Sequence, residues 1–110
     1  MAGRSHVMVE SQAVWGKPTA GEFLREALSL AEAGDRVILY LVEDGVFAAC
    51  SDAIPELARL VELGSEVWAD DLSLTHRALV AARVVPYVRV TGAAALDGAV
   101  RRADGRVVLH

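Results

Sequence analysis

The sequence predicts an α/β domain built as a three-layer sandwich, with helices on both faces of a parallel sheet. Three observations predict it. Val37 to Val42 is an unbroken run of Val, Ile, Leu and Tyr, as expected of a strand buried on both faces. Short runs of this kind alternate with stretches of helical spacing, which implies right-handed crossovers and parallel pairing. Hydrophobic residues make up 54% of the 110 residues, with Ala and Val prominent, which suits a doubly covered sheet. The length bounds this to a single domain over residues 1–110.

The elements follow in order. His6 to Glu10 is a short strand, and a loop through Trp15-Gly16-Lys17-Pro18 follows it. Thr19-Ala20-Gly21-Glu22 has the capping-box pattern. Phe23, Leu24, Ala27, Leu28 and Ala31 then form an apolar stripe that Gly34 ends. Val37 to Val42 is the second strand, closed by Glu43-Asp44-Gly45. Asp52 is positioned to cap a helix carrying Ile54, Leu57, Ala58 and Val61, terminated by Gly64. Glu66 to Ala69 is a third strand, and Asp70-Asp71 open a helix carrying Leu72, Leu79 and Val80. Beyond Pro86, Tyr87 to Thr91 reads as a fourth strand, Gly92 to Ala103 as an Ala-rich helix, and Arg106 to Leu109 as a last strand.

Composition excludes several function classes. The net charge is −4, and no basic run exceeds Arg101-Arg102, so neither nucleic acid nor an anionic membrane is an expected partner. No apolar stretch approaches a membrane span, and the first residues lack a signal-peptide core. The single cysteine, Cys50, fits a reducing compartment, so a cytoplasmic location is expected. There is no glycine-rich phosphate loop, dinucleotide fingerprint, paired-cysteine metal motif or nucleophile elbow. No cofactor and no metal are expected. The high apolar fraction in so short a chain points to surface set aside for further copies, so a homo-oligomer is expected.

The residues able to carry chemistry are few. In a parallel sheet the C-terminal strand ends share one edge, where ligand crevices form, so Trp15, Asp44, Asp70, Asp71 and Thr91 are expected to converge there. Asp44-Gly45 reads either as a ligand-binding pair or as a strand-to-helix turn. Asp70-Asp71 reads either as a carboxylate pair sharing a proton or a cation, or as a helix cap favoured by the helix dipole. His76 shares a helical face with Leu72 and Leu79, which suits a half-buried packing histidine over a catalytic one, and it lies about one turn and a half from the Asp70-Asp71 pair. Cys50 follows Phe47-Ala48-Ala49, and its neighbouring charges, Asp44 and Asp52, would raise the thiol pKa, so an inert thiol is expected over a reactive one.

Four segments together resemble the DsrE/DsrF/DsrH-like family of small sulfur-relay proteins, which includes the Tus relay subunits. They are Asp44-Gly45-Val46 after the second strand, Leu63 to Val67 entering the third, Asp71 to Leu79, and the C-terminal Arg106 to His110. Within the third segment Arg77-Ala78 stands where the family usually has Arg-Gly. The resemblance implies a three-layer sandwich around a five-stranded parallel sheet, assembled as trimers or hexamers with like or related subunits. It also implies a persulfide-carrying cysteine at the end of the third strand, and that position here is Asp70. An aspartate cannot carry sulfane sulfur. The expected function is therefore an accessory, non-carrier subunit of sulfur relay or sulfur oxidation. Two alternatives stand beside it: a small-molecule binding module at the strand-end crevice, using Trp15, Asp44, Gly45, Asp70, Asp71, His76 and Thr91, and a sulfurtransferase using Cys50.

Overall fold

Side-chain alternation along the strands sorts the apolar residues into two layers. The computed structural model describes residues 3–15 and 18–110. Five strands, β1 (Ser5–Glu10), β2 (Arg36–Leu41), β3 (Glu66–Asp70), β4 (Arg89–Thr91) and β5 (Val107–Leu109), form one sheet in the order β4-β3-β2-β1-β5. Every pairing is parallel. Four helices connect them, α1 (Pro18–Glu32), α2 (Pro55–Glu62), α3 (Asp71–His76) and α4 (Ala93–Arg102). From β1 to β4 the chain steps one strand at a time in one direction, so right-handed crossovers put α1, α2 and α3 on one face. The return from β4 to the far side of β1 carries α4 across the other. The expected α/β sandwich around a five-stranded parallel sheet is therefore the observed architecture.

The two faces are unequal. On the first, Met8, Leu39, Leu41, Val67 and Ala69 pack with Phe23, Leu24 and Ala27 of α1, Leu57 and Leu60 of α2, and Leu74 of α3. On the second, Val7, Val9, Tyr40 and Trp68 pack with Ala99 of α4 and its neighbours Leu96 and Ala103. One ten-residue helix thus covers a face that three helices and a 3₁₀ segment cover on the other side.

Three helices end in the same way. After α1, the Gly34 amide donates to Ala31 O and the Asp35 amide to Leu30 O, with Gly34 at φ +99°. After α2, Gly64 and Ser65 repeat the pattern onto Val61 and Leu60, with Gly64 at φ +89°. These are Schellman caps, in which the left-handed residue favours glycine. After α3, Ala78 and Leu79 donate to Thr75 and Leu74 in the same geometry, but the left-handed residue at φ +55° is an alanine. Relieving its Cβ clash is expected to outweigh the added chain entropy of glycine, so Ala78→Gly should stabilise the domain by about 1 kcal/mol. A thermal melt should show a rise of about 5 °C, and a fall in the midpoint would contradict it.

Several boundaries differ from the sequence reading. The capping box at Thr19 does not form, because Pro18, suited to the first helical position, already begins α1 and leaves Thr19 inside it. The Gly16-Lys17 part of the preceding loop lies outside the described residues. Between β2 and α2 stands a 3₁₀ helix over Glu43–Cys50 in place of a simple turn. Asp52 does not cap α2; the helix starts on Pro55 with Ile54 at the cap and no side-chain hydrogen bond there. The third helix stops at His76 because Ala78 reverses the chain. Leu72 (64% exposed) and Val80 (59%) consequently face solvent, and Leu74 is the buried anchor.

Candidate functional site

The C-terminal strand ends share one edge, and the chain leaves that edge in two directions. After β3 it turns into α3 on the first face; after β4, beside it, it turns into α4 on the second. Open α/β sheets place ligand crevices where the connections of adjacent parallel strands diverge. Asp70 and Thr91 are register partners at this fork, and Asp71 and Gly92 follow them in the chain. A Cβ on Gly92 would lie 3.3 Å from Asp71 Oδ1, so glycine keeps the two walls close.

Asp70 is buried and held from three sides. The Tyr40 hydroxyl donates to Oδ1, while the Ser73 amide (2.9 Å) and hydroxyl (2.6 Å) donate to Oδ2. It is the N-cap of α3, as the capping alternative expected. Burial alone would raise its carboxyl pKa. The hydrogen bonds from the Ser73 hydroxyl, Tyr40 and the Ser73 amide, with the charge field of His76, outweigh that and hold it below the usual carboxylate value. Burial, then the bond to this carboxylate, drives the Tyr40 phenol far upward, so it stays protonated and donates. The Ser73 hydroxyl also accepts from the Glu43 amide at 2.8 Å, tying the end of β3 to the end of β2. Glu43 adopts φ +53° to make that contact.

The other expected site residues have separate fates. Asp71 is exposed, and its Oδ1 accepts from the Leu72 amide at 2.7 Å, so the two aspartates bind different partners. Asp44 is exposed and pairs with Arg77 Nε at 2.9 Å, which links the 3₁₀ segment to α3. Gly45 is buried against β1: a Cβ there would sit 2.2 Å from the Glu10 carbonyl oxygen. His76 is exposed rather than half-buried, because α3 turns the Leu72 face outward and buries Leu74. Trp15 lies on the loop after β1, 55% exposed. Asp44, Asp70, Asp71 and Thr91 thus share one edge.

That architecture recurs in solved structures. The chain is similar in structure to the YchN protein of E. coli. The TM-score is 0.87, with 20% sequence identity and full coverage of both chains. A protein of unknown function from Methanobacterium thermoautotrophicum matches with a TM-score of 0.74 at 12% identity, over 98% of this chain and 99% of that one. A conserved protein of unknown function from Bacteroides thetaiotaomicron matches at 0.73 and 12%, over 96% and 94%. No family model matches the sequence, and no curated protein matches it. Identities this low establish the shared fold.

A second buried carboxylate at the shared edge has no counterpart in the sequence reading. Glu10, at the end of β1, is fully buried and accepts from His110 Nδ1 at 2.8 Å and from the Gln12 amide at 3.1 Å. The His110 ring stacks on Phe23 with centroids 5.0 Å apart. An acidic residue ending an apolar strand was the available signal; its partner lies 100 residues away.

Cys50 ends the 3₁₀ segment and packs against the main core. Burial pushes its thiol pKa up, and Arg83 opposes this. The direction agrees with the sequence reading, but its cause is desolvation and not Asp44 or Asp52. Among the described residues no group of three or more His, Cys, Asp or Glu is arranged to hold a metal ion, and no helix is long and apolar enough to cross a membrane. The carboxylates described at this edge are each committed to hydrogen bonds or an ion pair.

Proposed function

We propose that the chain is a cytoplasmic DsrE-like subunit of sulfur relay or sulfur oxidation that does not itself carry sulfur. The fold it shares with YchN is consistent with that family's architecture. The observation that carries the reading is the state of Asp70. At the strand end where the resemblance expects a carrier thiol, a carboxylate is tied to Tyr40 and Ser73 as a helix cap. Such a residue organises the site and offers no nucleophile. The alternative that Cys50 is a relocated carrier is disfavoured by its partial burial and raised pKa, since the thiolate is the form that accepts sulfur.

We propose further that the subunit acts within a homo-oligomer, a trimer or hexamer, with related DsrE-like subunits or a sulfur carrier as its partners. Exposed Leu72 and Val80 at either end of the α3 turn support an apolar contact there. The rival reading, a small-molecule module, draws its support from the crevice between the diverging α3 and α4 connections.

Native mass spectrometry after incubation with a persulfide donor tests both proposals together. The expected result is a multiple of three subunits with no added sulfur, and ordinary labelling of Cys50 once the protein is denatured. Rapid stoichiometric sulfur uptake by the native protein, abolished by Cys50→Ala, would return the chain to the carrier class. A monomer would remove the assembly.

A further inference from the structure

At the opposite edge of the sheet, α4 leaves a cavity of about 330 Å³ above the strand starts. Three arginines far apart in sequence line it: Arg36 at the start of β2, Arg89 at the start of β4 and Arg102 in the last turn of α4. Among the described residues none of the three is in an ion pair. The single carboxylate in the lining, Glu66, accepts from Trp68 Nε1 at 3.2 Å. The cavity therefore concentrates positive charge in a protein whose net charge is −4. Like charges gathered around a concave space repel one another and raise the local affinity for an anion.

Arg89 is also prepared for a ligand. The Arg89 guanidinium lies over the Trp68 ring, 4.7 Å from its centroid, and Trp68 is itself buried. Stacking fixes the plane of the fork before anything binds, so less side-chain entropy is lost on binding. Ile38, Ala99 and Ala103 supply apolar wall beside these donors. Flat donor forks match the paired oxygens of a carboxylate or phosphate, and the volume lies at the lower end of small-ligand pockets.

We propose that this cavity binds a small organic anion, its oxyanion held by Arg36, Arg89 and Arg102 and its apolar body against Ile38 and α4. The site is separate from the strand-end crevice and independent of any role in sulfur relay. Because the cavity is small, the ligand is a metabolite-sized molecule and not a macromolecular partner.

The test follows the indole Nε1–H resonance of Trp68 in the nitrogen-15-labelled protein, assigned with Trp15→Phe. Phenyl phosphate, benzoate and inorganic phosphate are titrated separately. A saturable shift of the Trp68 resonance is expected with phenyl phosphate or benzoate, and the tighter of the two assigns the oxyanion class. Arg36→Gln and Arg89→Gln, both at exposed positions, should each weaken binding about tenfold. Raising the salt concentration should weaken binding to the unmodified protein as well. No movement of the Trp68 resonance at about 10 mM of any probe, an affinity range where even weak sites respond, would overturn the proposal. So would a shift that both arginine variants leave unchanged, or inorganic phosphate binding as tightly as phenyl phosphate.

Discussion

Asp70→Ala is expected to destabilise the domain by about 3 kcal/mol, because it strands three donors at once. The Tyr40 hydroxyl, the Ser73 hydroxyl and the Ser73 amide all point at the missing carboxylate. Asp70→Asn keeps an acceptor oxygen for Ser73 and should lose only about 1 kcal/mol. In a double-mutant cycle, Tyr40→Phe with Asp70→Ala should cost less than the sum of the two, because each single change strands the other's partner. Urea midpoints measure all three, and additive losses would show that the pair is not coupled.

The same carboxylate sets a pH dependence. Its folded pKa lies below the ordinary 3.8, so the charged form is the one that stabilises the fold. That contribution is complete above the unfolded value and disappears as pH falls through the lower folded value. Asp35 shifts in the same direction, chiefly through the hydrogen bond from His6 and then the Arg4 amide. Asp70→Asn should therefore flatten the acid limb of the stability curve below about pH 4 and leave the part due to Asp35. An unchanged limb would mean that Asp70 is not held in its charged form.

Gly45→Ala is expected to cost about 3 kcal/mol, for a different reason. The obstacle is backbone, with the Glu10 carbonyl 2.2 Å from the new methyl position, and that carbonyl already accepts from the Val42 amide. No rotamer relieves such a contact, so β1 and the 3₁₀ segment must separate. Thermal unfolding should show a fall of more than about 10 °C. A loss below about 1 kcal/mol would mean that the segment shifts freely and that Gly45 is a turn residue only.

The central strands were legible because their signal is local: β2 is an apolar run, and β1 and β3 are shorter runs ending in acids. The Asp70 cap was legible for the same reason, since an N-cap is read within four residues. Its bond to Tyr40 was not, because it depends on how β2 and β3 align. The end of α3 was misread because an alanine holds the left-handed position that glycine marks after α1 and α2. The 3₁₀ segment has no helical stripe to announce it. No basic run announces the arginine cavity, because Arg36, Arg89 and Arg102 meet only once the sheet is assembled.

The pairing of β5 with β1 has a kinetic consequence. Val7 aligns with Val107 across 100 residues, while β1 to β4 are joined by successive shorter connections. Before β1 to β4 are assembled, closing a loop of that length costs about 2 kcal/mol more chain entropy than closing a ten-residue turn. The β5 ladder itself supplies three residue pairs toward it, and the Glu10–His110 bond and the His110–Phe23 stack add to them. β5 should therefore dock last, and its amides should exchange with solvent before those of β2 and β3. Until it docks, β1 is a bare apolar strand edge open to another chain, so the slowest step of folding is also the one most exposed to aggregation.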